Sequence, residues 1–172
     1  LYTTPDVERV LPMFREVPFD DFVEVAPGVR AKWVDAGHIL GAASVMLDPE
    51  DKGARKTVVF SGDIGPRRAP LLRDPATSDR ADVVFLESTY GDRDHRPMDD
   101  SIAELARIMN EARTPKGKVL IPSFAVGRTQ QLIYFIAGMR REGVVEDPKV
   151  YVDSPMATSA TDLYRRHREL FD

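Results

Sequence analysis

The rhythm of apolar and polar positions changes partway along the 172-residue chain. Thr4-Pro5 opens a short helical pattern that runs to about Phe14, with Thr4 as N-cap and Pro5 at the first helical position. Val29–Asp35 alternates with the period of two of a half-buried strand. Ser44–Asp48 and Thr57–Phe60 are two further strand candidates, separated by the polar turn Pro49–Gly53, and together they suit an antiparallel meander. Val83–Leu86 is a continuous apolar run, which predicts a buried strand.

Beyond this point the pattern is helical. Ile102, Leu105, Ala106 and Met109 give Asp99–Arg113 one apolar face. Val119–Ile121 reads as a strand. Gly127–Arg141 reads as a long helix with Leu132, Ile133, Phe135, Ile136 and Met139 inward. Val150–Val152 is another strand candidate, and a last helix begins near Pro155 and meets no stop signal before Asp172. Strand–helix–strand–helix order at this spacing predicts a parallel α/β unit. The chain therefore divides into a β-rich part and an α/β part, with the change near Gly91–Pro97.

Composition narrows the function. A hydrophobic fraction of 42% supplies a core, and a charged fraction of 30% of mixed sign argues against wholesale disorder. The formal net charge of −4 gives no global attraction to nucleic acid, so a nucleic-acid surface has to be a local patch. The absence of cysteine excludes disulfides, thiolate zinc sites and cysteine nucleophiles within the chain, and it suits a cytoplasmic setting. No stretch approaches the length of a membrane span, and the first residues do not read as a signal peptide. Leu1 is not an initiator methionine and the last helix meets no stop signal, so both ends are expected to be cut.

Four segments place polar residues at the ends of apolar strands: Ala36–Ala42 with His38, Phe60–Gly65 with Asp63, Leu86–Gly91 with Glu87, and Val152–Ala157 with Asp153 and Ser154. Strand ends are where layered α/β folds usually assemble sites. Imidazole and carboxylate are the zinc ligands left when there is no thiolate, and a carboxylate can bridge two metal ions. One histidine and one aspartate do not fill a four-coordinate zinc, so these residue types alone leave the metal role open.

These four segments, with Ile121–Arg128, resemble in order the β-CASP group of metallo-β-lactamase nucleases: a Gly-His loop, a Ser-Gly-Asp strand end, a Glu-Ser-Thr-Tyr-Gly segment, and two segments of the β-CASP insertion. The similarity runs from about Ala36 to Met156. It implies an α/β fold in which residues 1–92 are the C-terminal portion of an αββα metallo-β-lactamase sandwich and residues 93–172 begin a parallel α/β β-CASP domain. It implies a ribonuclease of RNA processing or decay that hydrolyses phosphodiesters through metal-bound hydroxide. His38 would ligate one zinc, Asp63 would bridge two, and Glu87 would orient or tune groups at the site. The RNA branch carries Glu at this position where the DNA-repair branch carries Asp. The family's His-x-His-x-Asp-His segment is absent and would lie upstream of Leu1, and two later histidines would lie beyond Asp172. The chain alone is therefore expected to be inactive and to hold zinc weakly or not at all. The partners implied are an RNA substrate, further copies of the chain or processing-complex subunits, and no membrane.

Simpler readings stand beside these. His38 could be a loop histidine packed between glycines, Asp63 a turn residue, and Glu87 an acceptor of backbone hydrogen bonds. His95 and His167 lie in charged surroundings and read as solvated. Arg128 begins a helix, where free N–H groups and the positive dipole end suit phosphate, or it is simply an exposed arginine. Ser154 before Pro155 reads first as an N-cap and second as a phosphate contact. Trp33 and Phe124 read as core residues. Other functions to separate are a non-catalytic nucleic-acid-binding partner subunit, a DNA-repair nuclease of the same family, and a small-molecule metallo-hydrolase. Residues 113–172 argue against the last, which lacks the insertion.

Overall fold

The computed structural model describes residues 1–113 and 117–171. Six strands, β1 (Val23–Ala26), β2 (Val29–Asp35), β3 (Ala43–Asp51), β4 (Ala54–Arg55), β5 (Val58–Phe60) and β6 (Val83–Phe85), form one sheet. Four α-helices accompany it: α1 (Thr4–Val10), α2 (Met98–Arg113), α3 (Arg128–Arg141) and α4 (Pro155–Arg166). The class is mixed α/β.

The sheet order is β1-β2-β3-β5-β6, with β4 pairing off the end of β3. Neighbours are antiparallel except β5 and β6, which are parallel. Parallel neighbours need a long crossover, and residues 61–82 supply it. The turn at Lys52-Gly53 has positive φ at both residues, 49° and 78°, the conformation of a two-residue type I′ hairpin. It lets β3 run on through Pro49 to Asp51 and pair with β4, so most of the polar turn expected at 49–53 is strand.

Register fixes where the loops emerge. Asp35 pairs with Ala43, Val45 with Phe60, and Phe60 with Phe85. The β2–β3 loop, the residues after β5 and the residues after β6 therefore leave the sheet at one end. Phe60 and Phe85 stack in parallel there, with ring centroids 4.8 Å apart.

Helices form where periodicity puts them, with corrections at their ends. The N-cap of α1 is Thr3, whose backbone N–H donates to Asp6 Oδ2 at 2.8 Å, and the helix gives way at Leu11–Met13 to a 3-10 turn containing Pro12. The last helix stops at Arg166 and is followed by a 3-10 turn, Arg168–Leu170, so it does not run to the chain end. Ala106, Ile136, Met139 and Val145 form one buried cluster between α2 and α3, supported by Ile102, Leu105 and Met109.

Several strand expectations fail for one reason. Residues 119–121 and 150–152 form no strand and belong to no ladder among the described residues, and Leu120 is 92% exposed. The apolar run at β6 forms a strand at an edge of the sheet, but its side chains are exposed. β2 is half-buried without a clean alternation, with Ala31 and Val34 buried and Trp33 between them only partly covered. Phe124 is exposed, not core. An apolar run is buried only when another element covers it, and the run itself does not specify that element.

Candidate metal centre

His38 lies on the seven-residue link 36–42 between β2 and β3. The link closes on itself through Ala36 N–H to Ala42 O (3.0 Å) and Ala42 N–H to Ile39 O (2.9 Å). Gly37 has φ +63° and its N–H donates to Asp35 Oδ1 at 2.8 Å. Asp63 follows β5, two residues past the buried Ser61. Gly65 joins the two loops: its N–H donates to Ala36 O at 2.8 Å, and a Cβ on it would lie 1.7 Å from Gly37 O. Only glycine permits so close a backbone approach.

This contact brings His38 Nε2 to 3.8 Å from Asp63 Oδ2. Both side chains are open to solvent, at 43% and 75% exposure, and at 3.8 Å the two are too far apart for a hydrogen bond. Donor atoms about 2.1 Å from a tetrahedral zinc lie about 3.4 Å apart, so the observed spacing fits two ligands of one ion. The fit is partial: among the described residues no three His, Cys, Asp or Glu side chains group as a metal site.

Glu87 is placed differently. It follows β6, and its backbone N–H donates to Ser61 Oγ at 2.9 Å. Ser61 in turn donates its N–H to Phe85 O at 2.9 Å, and its carbonyl accepts from Ser44 Oγ at 2.7 Å. The carboxylate accepts from Thr89 N–H at 3.0 Å and Ile64 N–H at 3.4 Å. The Thr89 backbone and hydroxyl, then the Ile64 amide, hold the Glu87 carboxyl below its ordinary value, with His38 adding a smaller attraction. Glu87 therefore accepts backbone hydrogen bonds, and it does so from the residue next to Asp63.

The other candidates fall into place around this end. Gly127, at φ +82°, precedes α3, and a Cβ on it would stand 2.7 Å from Ile39 Cγ2, so the start of α3 rests against the residue after His38. Arg128 is the exposed first residue of that helix. Ser154 is the N-cap of α4, its Oγ accepting from Ala157 N–H at 3.1 Å. His95 is exposed and lies edge-on to Tyr90, and His167 pairs with Glu169 at 3.1 Å. A cleft of about 280 Å³ lies between α3 and α4, lined in part by Gln130, Tyr134, Thr161, Tyr164 and Arg168, and His38, Asp63 and Glu87 are not on its wall.

Two residues with a structural claim on the site give no chemical signal in sequence. Gln130 is buried; its Oε1 accepts from Gly127 N–H at 2.7 Å, and its Nε2 donates to Ala125 O, Ala157 O and Thr161 Oγ1. Tyr164 on α4 is 6% exposed, and its hydroxyl oxygen accepts from Leu40 N–H at 3.1 Å. Nothing local to either residue points to a partner so far away in sequence.

Residues 129–172 match the Beta-Casp domain family. The chain is 36% identical over 94% of its length to a ribonuclease of Thermus thermophilus. It is 30% identical over 95% of its length to an RNase J-like protein of Methanocaldococcus jannaschii. It is 32% identical over 78% of its length to the transcription termination factor FttA of Methanothermobacter thermautotrophicus. It spans 36%, 38% and 21% of the lengths of these relatives, respectively. No described helix is long and apolar enough to cross a membrane.

Proposed function

Because the chain belongs to the metallo-β-lactamase/β-CASP family, we propose that it carries part of the active centre of a zinc-dependent ribonuclease acting in RNA processing or decay. The observation that carries this reading is the meeting of His38 and Asp63 at 3.8 Å on two loops held together by Gly65. The names of the relatives, a ribonuclease and an RNase J-like protein among them, support RNA as the substrate. In this reading residues 1–92 belong to the αββα sandwich and residues 93–172 open the β-CASP domain.

His38 offers a ring nitrogen and Asp63 two oxygens, enough to ligate one ion and bridge to a second. When bound, zinc supplies positive charge and acidifies water. Glu87 is a positioning residue here: it holds the Ile64 amide and so fixes the backbone beside Asp63. Arg128 sits at the helix start that abuts the His38 loop, where its guanidinium and free helix N–H groups suit a phosphate of the substrate. Ser154 keeps its hydroxyl proton while capping α4 and can donate it to a second phosphate. Two ligands do not complete a catalytic zinc site, which takes about three and a water. The 172-residue chain by itself is therefore expected to be inactive and to lose zinc on dialysis.

The test is cleavage of labelled RNA and DNA of one sequence by the full-length protein. RNA cleavage abolished by chelation, restored by zinc, and cut by roughly two orders of magnitude or more in His38→Ala and Asp63→Ala would support the reading. Arg128→Ala is expected to weaken RNA affinity and lower its salt slope by about one. Chelator-resistant cleavage, or full activity in both ligand variants, would overturn the metal assignment. Cleavage of DNA alone would move the protein to the DNA-repair branch.

A further inference from the structure

The link carrying His38 is gripped from two sides. On the sheet side, Gly65 hydrogen-bonds Ala36 and packs on Gly37. On the helical side, the two residues after His38 are each engaged by a different helix. Ile39 lies against the buried Gly127 at the start of α3, where a methyl group would not fit. The Leu40 N–H donates to Tyr164 of α4, 124 residues away, and the Leu40 side chain joins Ala69, Leu72, Tyr164 and Phe171 in a buried cluster. Those two helices are tied to each other. Gln130 ties the Gly127 amide to Ala157 and Thr161 of α4 through one buried amide side chain.

We propose that Tyr164 is a positioning residue for His38: its hydroxyl, held in the frame stapled by Gln130, fixes the backbone at Leu40 and so sets the place of the imidazole relative to Asp63. The link has no helix or strand of its own, and the His38 side chain makes no hydrogen bond among the described residues, its Nε2 lying 3.8 Å from Asp63 Oδ2. A ring that no hydrogen bond anchors takes its position largely from its backbone. Among the described residues that backbone has one hydrogen bond to the helical region, the one at Leu40. The helical region thereby helps set the geometry of two candidate ligands, His38 and Asp63, that both lie in the sheet region. The functional part of this inference rests on the zinc reading above; the clamp itself does not.

The experiment compares wild type, Tyr164→Phe and Asp63→Asn in the full-length protein. Tyr164→Phe keeps the ring in its cluster and removes only the acceptor for Leu40. Without metal, amide exchange at Leu40 should quicken about tenfold in Tyr164→Phe and stay unchanged in Asp63→Asn, while the His38 ring resonances shift in Tyr164→Phe. With metal, Tyr164→Phe should weaken zinc binding about tenfold and lower kcat on RNA with KM little changed. Unchanged Leu40 exchange with unshifted His38 resonances overturns the clamp. Faster exchange with unaltered zinc affinity and kcat overturns its coupling to the site. A wild-type protein that binds no zinc sinks the metal reading alone, and the metal-free measurements still decide the clamp.

Discussion

The sheet region and the helical region obey different rules about what a short segment can do alone. In α2 and α3 each helix satisfies its backbone within itself, and the two need only lay one apolar stripe on the other, as Ala106, Ile136 and Met139 do. In the sheet every strand depends on a neighbour. β2, β3 and β5 have them and form; among the described residues 119–121 and 150–152 do not, and stay outside any ladder. β6 has a neighbour on one side only and leaves Val83, Val84 and Phe85 exposed. The site follows the same division. His38, Asp63 and Glu87 come from strand ends that register aligns, while the helical region contributes contacts to the His38 loop.

The largest expected break in the sheet region is Gly65→Ala. A methyl group at 1.7 Å from Gly37 O cannot be accommodated without parting the His38 and Asp63 loops. The cost should be about 3 kcal/mol or more, read as a fall in the denaturation midpoint, with any zinc binding by the full-length protein weakened in parallel. A variant with wild-type stability would show that the two loops are not locked together.

A smaller break is expected in the helical region. Gln130→Leu leaves the Gly127 N–H without its partner and removes the ties to Ala157 and Thr161, at about 2 kcal/mol in chemical denaturation. The loss should appear in α3 and α4 and at the Leu40 amide, and spare amides of β1. Uniform loss of protection would mean that the two regions unfold as one unit.

The smallest effect is a pH dependence. The Glu87 carboxyl is lowered from an ordinary value of 4.5, chiefly by the Thr89 and Ile64 amides. Its contribution is complete above that ordinary value and is lost as pH falls through the lower folded value. The stability difference between wild type and Glu87→Gln should therefore narrow below about pH 4. A difference that persists unchanged at pH 3 would show that the carboxylate charge is not what the amides hold.

Much of the sheet was legible. Val29–Asp35 is a strand over the bounds its pattern gives, and β5 and β6 fall within one residue of theirs. Helix starts at Gly127 and Ser154 were legible because capping is local chemistry: a Gly-Arg step and a Ser-Pro step. Burial was less so. Phe124 and the Val83–Leu86 run are apolar and exposed, since hydrophobicity states a preference and only a covering element satisfies it. At the site, His38, Asp63 and Glu87 were visible as polar residues at strand ends. Tyr164 and Gln130 were not, because a tyrosine on amphipathic α4 and a glutamine in the first turn of α3 look the same whether or not they grip a distant segment.

By itself the sequence determined the elements whose hydrogen bonds close locally, the absence of thiolate chemistry, and the ordered segments that carry the family resemblance. Tertiary structure decided that Asp63 faces His38, that Glu87 serves the backbone beside them, and that helix α4 reaches back to Leu40. These depend on strand register and on backbone approach at Gly65 and Gly127, quantities set by contacts between residues far apart in the chain. No local pattern of side chains encodes them.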